Sequence, residues 1–218
     1  MPGTPKVEIY NQAAGHLGVR PVTLPTESTP VAQAFTRSWN MSRRETIGSG
    51  KTPCTTVIEA LVLMASSYTI PPDWLYAYQY PSKCLRMWKI YPAGTARQSS
   101  ELRFSGDDST LSPSPEGEKF RRIFVPSLNV QVILTNCEGA YAEYSYDLED
   151  TTLWDPALVT SMAYRLAADT AVGLTGDDQK ALKLAGLAMN AVSESKRVAA
   201  SENNTDYPRH ISPLDARG

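Results

Sequence analysis

Apolar residues recur at helical spacing twice between Leu153 and Asn203, with one break at Leu174-Thr175-Gly176. Leu158, Met162 and Leu166 follow one another at i, i+4, i+8, and Val159, Ala163 and Ala167 widen the stripe. Asp155-Pro156 supplies a side-chain acceptor at the N-cap and a ring with φ preset for the first turn. Asp177 is placed to cap a second helix, in which Ala181, Leu184, Ala188, Val192 and Ser195 share a face. The short turn forces the pair antiparallel, and the facing positions, among them Ala167, Ala171, Ala181, Ala185, Gly186 and Ala188, are small enough for close approach. The same period opens the chain. Ile9, Ala13 and Leu17 predict a helix over 6–17 that Gly18 and Pro21 end. Thr29-Pro30 repeats the cap-plus-proline start, and a helix to about Ile47 places Val31, Ala34, Phe35 and Trp39 inward and leaves Arg37, Arg43 and Arg44 solvated. Residues 1–50 and 151–203 therefore predict a four-helix bundle assembled from both chain ends.

The segment 51–150 alternates instead. The apolar run 57–65 fits a strand or a buried helix equally, because periodicity alone does not separate them. Trp74–Tyr80, Leu85–Tyr91, Arg121–Val125, Val130–Leu134 and Ala140–Tyr146 carry the two-residue period and the aromatic and β-branched content of strands. Period 2 puts Trp74, Tyr76, Tyr78 and Tyr80 on one face, a packing surface rather than a base-stacking platform, since no basic residue interleaves it. Residues 93–119 are rich in Gly, Ser, Pro and Asp and predict a long loop with one weak strand at Leu102–Phe104. The expected class is α+β: a helical bundle with a small antiparallel β-layer inserted in its middle, and a flexible tail over 204–218, where Pro208 and Pro213 block a helix.

Composition changes this picture little. The chain has 218 residues, 42% hydrophobic and 20% charged, enough for a sizeable core. A net charge of −2 lacks the basic bias of a nucleic-acid binder. Three cysteines without CxxC spacing predict free thiols in a reducing compartment. Residues 1–10 hold no apolar run of the secretory kind, and no stretch reaches the ~18 apolar residues of a membrane span. A soluble protein made in the cytoplasm is expected.

Candidate chemistry is sparse. Gly48-Ser49-Gly50-Lys51-Thr52 imitates a phosphate-binding loop, but Glu45 stands where its first glycine belongs and Pro53 follows at once, so a helix-terminating linker is the better reading. His16 and His210 lie at opposite ends and no cysteine has a local ligand partner, so no metal or cofactor is expected. Asp147, Glu149, Asp150 and Asp155 form an acidic cluster; paired carboxylates serve glycosidases and divalent metals, but acids entering a helix also meet its N-terminal dipole favourably.

Several blocks, taken together and in order, carry a resemblance. They are Tyr10-Asn11-Gln12-Ala13 with Gly15 and Leu17-Gly18; Pro72 to Pro81 with Cys84-Leu85-Arg86; Leu134-Thr135-Asn136; and Asp147-Leu148-Glu149-Asp150 through Trp154-Asp155-Pro156 to Leu174-Thr175-Gly176-Asp177. This order resembles the tail tubular protein A family of short-tailed bacteriophages, over residues 6–202. The chain departs from that family's pattern at Pro53-Cys54-Thr55-Thr56, which leaves the path of 48–65 open. The resemblance implies a non-enzymatic virion protein, a head-to-tail adaptor. Such an adaptor forms a ring of about twelve copies on the portal protein, continues the DNA channel and offers a platform to the tail nozzle. In that arrangement Tyr207, Arg209, Ile211 and Leu214 of the tail are the candidate portal contacts, and loop 93–119 is a candidate nozzle contact. Two other readings come from different classes: a tail-associated glycan hydrolase using the acidic cluster at 147–155, and a DNA-end-binding packaging factor.

Overall fold

The computed structural model describes residues 4–65, 68–93 and 117–202, and within them every side chain except those of 195, 196 and 198–202. The expected strand at 102–104, most of loop 93–119 and the tail with Tyr207, Arg209, Ile211 and Leu214 lie outside the described residues.

Four helices form where the local chemistry starts and stops them: α1 (Lys6–Leu17), α2 (Pro30–Ser49), α3 (Pro156–Thr175) and α4 (Asp178–Glu202). Thr29 caps α2 by accepting from the Ala32 N–H, and Asp155 caps α3 by accepting from the Leu158 N–H at 2.6 Å. Gly18 and Gly176 end α1 and α3 at φ of 71° and 69°, the left-handed conformation that costs an L side chain energy. Asp177 then caps α4 through the Lys180 N–H at 2.9 Å. Asp155→Ala is expected to lower stability by about 1 kcal/mol and Asp155→Asn by far less, measured as the shift of the urea midpoint.

The third helix is central and lies against the other three. Its Leu158, Met162, Ala163, Leu166, Ala167 and Ala171 are buried with Ile9, Tyr10 and Ala13 of α1, Phe35, Trp39 and Ile47 of α2, and Leu184 of α4. Small residues let the axes approach closely enough for the buried Ser161 hydroxyl to donate to the Ala188 carbonyl at 3.2 Å. Gly186, expected to face α3, points into open space. Its position two residues from both Leu184 and Ala188 puts it nearly opposite the buried line of α4.

Between the helices lie six strands, β1 (Thr56–Ala60), β2 (Tyr76–Gln79), β3 (Cys84–Tyr91), β4 (Phe120–Val125), β5 (Val130–Thr135) and β6 (Tyr141–Tyr146). They form two antiparallel sheets, ordered β1-β6-β3 and β2-β5-β4, where the pattern suggested one layer. The ambiguous run 57–65 is extended. After β1 pairs with β6, Leu61 donates to the Ala140 carbonyl, and Val62 and Met64 bond to Gln79 and Ala77 of β2. One segment thus serves both sheets.

Tyr76, Tyr78 and Tyr80 pack together with Ile90 and Ile133, as the period requires. Trp74 does not join them: it packs on the opposite side with Ala77, Val132 and Leu134. Its N–H bonds to the Pro71 carbonyl in the turn before β2, so the strand alternation never reaches it. The Tyr78 hydroxyl donates to the Cys137 carbonyl and accepts from the Ala140 N–H, satisfying its buried polar tip.

Candidate functional site

Where the last turns of α2 meet the ends of the sheets, the fold gathers its densest charge. Arg43, expected to be solvated, is only 2% exposed. Its Nη1 sits 2.6 Å from Asp147 Oδ1, while the exposed Arg44 donates from Nε to the other oxygen, Oδ2, at 3.1 Å. Asp147 is itself buried just past β6, fixed by its N–H on the Lys83 carbonyl. A sequence signal for this existed: Arg43 stands four residues after Trp39 and eight after Phe35, squarely on the inward face. The Arg43 Nη1–Asp147 Oδ1 contact is an ion pair without hydrogen-bond geometry, and Arg43 Nε and the indole N–H of Trp154 are likewise buried without hydrogen-bond partners. Above this pair, Trp39 stacks on Trp154 at 6.0 Å, and the Lys6 ammonium lies 4.5 Å from the Trp39 ring. Burial, and then the nearby Arg43, lower the Lys6 pKa.

The four acidic residues at 147–155 do not converge. Asp147 belongs to the arginines; Glu149 is exposed, 3.9 Å from Lys83 Nζ. Asp150 accepts from the N–H and hydroxyl of Thr152, bonds that hold its carboxyl below the usual range. Asp155 caps α3 and accepts from the Cys54 thiol, whose pKa burial raises to about 11. Each carboxylate has a structural partner, and among the described residues no group of three or more His, Cys, Asp or Glu side chains is placed to hold a metal ion.

The glycine-rich stretch 48–52 likewise resolves into structure. Helix α2 runs through Ser49, one turn of 3-10 helix at Pro53–Thr55 leads into β1, and Lys51 pairs with Glu143 on β6. A single 3-10 turn opening on Pro53, rather than an α-helix, follows the lysine, so the run of backbone donors of a phosphate loop is missing there. His16 stacks on Tyr164 with ring centroids 4.2 Å apart, and burial lowers its pKa. Cys54, Cys84 and Cys137 are free thiols.

What the sequence reading missed is a cleft of about 440 Å³ between the two sheets and α2. Arg44, Lys83, Arg122, Tyr80, Cys84 and Asp147 line it. Arg122 lies over the Tyr80 ring at 4.5 Å and donates to its hydroxyl, which also accepts from the Cys84 thiol at 3.1 Å. Burial, followed by the Cys84 contact, raises the Tyr80 pKa. These side chains come from α2, the turn joining β2 to β3, the start of β3, β4 and the segment just past β6, so no local spacing announces them.

Among the described residues, exposed apolar side chains cluster on several elements. On α4, Leu182 and Met189 are 76% and 68% exposed, with the open Gly186 between them. At the β4–β5 hairpin, Phe124, Leu128 and Val130 are exposed, and beside β1 so are Ile58, Val62 and Leu63. Among the described residues no helix is long and apolar enough to cross a membrane. Comparison with models of known families and with curated proteins finds no match for this chain.

Proposed function

We propose that this chain is a head-to-tail adaptor of a short-tailed bacteriophage, a structural virion protein. About twelve copies assemble as a ring on the portal protein, continue the channel for passing DNA and receive the tail nozzle. The ordered blocks from Tyr10 to Asp177 that resemble the tail tubular protein A family motivate this reading. The observation that carries it furthest is the outer face of α4. A helix held on one side by α3 leaves Leu182 and Met189 bare on the other, as expected of a subunit completed by its neighbours. The dispersed carboxylates at 147–155, each with a structural partner, favour an assembly role over hydrolysis.

Mass measured by light scattering after size exclusion tests it, for the chain alone and mixed with the portal ring of its phage. The expected result is a joint particle carrying about twelve copies of this chain per portal ring. Failure to associate in either order of mixing would overturn the proposal. Deleting 204–218, and with it Tyr207, Arg209, Ile211 and Leu214, is expected to weaken docking while the circular dichroism of the chain stays unchanged; full docking would remove the tail from the portal contact.

A further inference from the structure

We infer that the cleft between α2 and the two sheets binds a phosphate group, held by Arg44, Lys83 and Arg122. This site stands independently of the adaptor reading. Charge imbalance is the first argument. Arg43 and Arg44 share the single carboxylate of Asp147, and Lys83, which lies 5.5 Å from the Tyr146 ring, has the exposed Glu149 as its carboxylate partner among the described residues, at 3.9 Å. Arg122 makes no ion pair with any described residue and rests its guanidinium on Tyr80 instead. Three cations, Arg44, Lys83 and Arg122, therefore line the cleft beside the single carboxylate of Asp147, an excess of two positive charges. A phosphate monoester carries roughly −1.5 to −2 at neutral pH and would cancel it.

Geometry is the second argument. The three lining cations reach the cleft from a helix, a turn and a strand of the second sheet. Arg44 uses its Nε on Asp147 and Arg122 uses one Nη on Tyr80, so each keeps guanidinium donors for a ligand. A tetrahedral oxyanion offers oxygens in several directions at once, whereas one planar carboxylate satisfies one fork. The volume of about 440 Å³ exceeds a bare phosphate and leaves room for whatever the phosphate is attached to.

Calorimetric titration of the full chain with inorganic phosphate, at constant ionic strength, is the test. Saturable binding to one site is expected. Lys83→Gln and Arg122→Gln should each weaken it about tenfold, and Arg121→Gln, the next residue on β4 but not lining the cleft, should leave it unchanged. Both lining residues are exposed, so these variants should keep the parent circular dichroism. An oligonucleotide with a 5′-phosphate separates the possible sources. Binding about tenfold tighter than the same strand with a 5′-hydroxyl assigns the cleft to a nucleic-acid end; equal binding of the two strands, with inorganic phosphate still saturating, assigns it to free phosphate. No saturable binding, equal binding by a variant carrying both Lys83→Gln and Arg122→Gln, or tighter capture of a glutamate-rich peptide than of phosphate would each overturn the inference.

Discussion

Asp147→Ala is expected to destabilise the protein by about 3–5 kcal/mol, more than any other single surface or loop change near the sheets. The substitution removes the carboxylate that Arg43 needs and leaves a guanidinium 2% exposed with no charge to meet it. Arg43 Nε already lacks a partner, so little remains to absorb the loss. Arg44→Ala touches the same carboxylate from the solvent side and should cost no more than about 1 kcal/mol. Urea denaturation distinguishes the two, since a shift of midpoint at constant slope reads stability directly. Replacing both buried partners, as Arg43→Met with Asp147→Leu, should recover most of the loss, because apolar packing removes the desolvation cost of both charges. A cost under about 1 kcal/mol for Asp147→Ala would show that the pair carries no buried charge.

Trp39→Ala is expected to cost about 3–5 kcal/mol. The indole is 5% exposed and joins three parts of the chain: it meets Tyr10 of α1 edge-on at 5.4 Å, stacks on Trp154 ahead of α3 and lies under the Lys6 ammonium. Removal opens a cavity between α1, α2 and the entry to α3 that rigid helices cannot close. Trp39→Phe keeps a ring in place and should cost less than half as much. Thermal unfolding followed by far-ultraviolet circular dichroism checks both, since the four helices give that signal with or without the indole. An alanine variant melting with the parent would mean that Trp39 is not a core residue.

The helices were legible because their punctuation is local. Thr29-Pro30, Asp155-Pro156, Gly18 and Gly176-Asp177 act within a few residues of themselves, and each does what its chemistry dictates. The strands from β2 to β6 were legible for a similar reason, since alternation is a property of adjacent residues. What depended on distant partners was not. Residues 57–60 become strand, and 61–65 stay extended, because β6 and β2 lie beside them, and Trp74 changes face because the strand starts after it. Arg43 stands on the inward face of α2, but the partner that its buried charge meets there, Asp147, arrives from past the whole sheet region. The cleft is harder still: its cations sit on separate elements, and their spacing along the chain carries no period.

The central position of α3 bears on how the chain is made. Helices α1 and α2 are complete by Ser49, yet the helix that covers their apolar faces begins at Pro156. At a synthesis rate of about 5–20 residues per second, roughly five to twenty seconds separate them on the ribosome. Through that interval Ile9, Phe35 and Trp39 have no native partner outside their own helix pair. The nascent chain therefore passes through a stage in which its N-terminal quarter is sticky and its sheets are forming, and a chaperone that shields short apolar helices has its window there. Moving residues 156–202 ahead of residue 6 by circular permutation would close that window and raise the soluble yield without altering the native core.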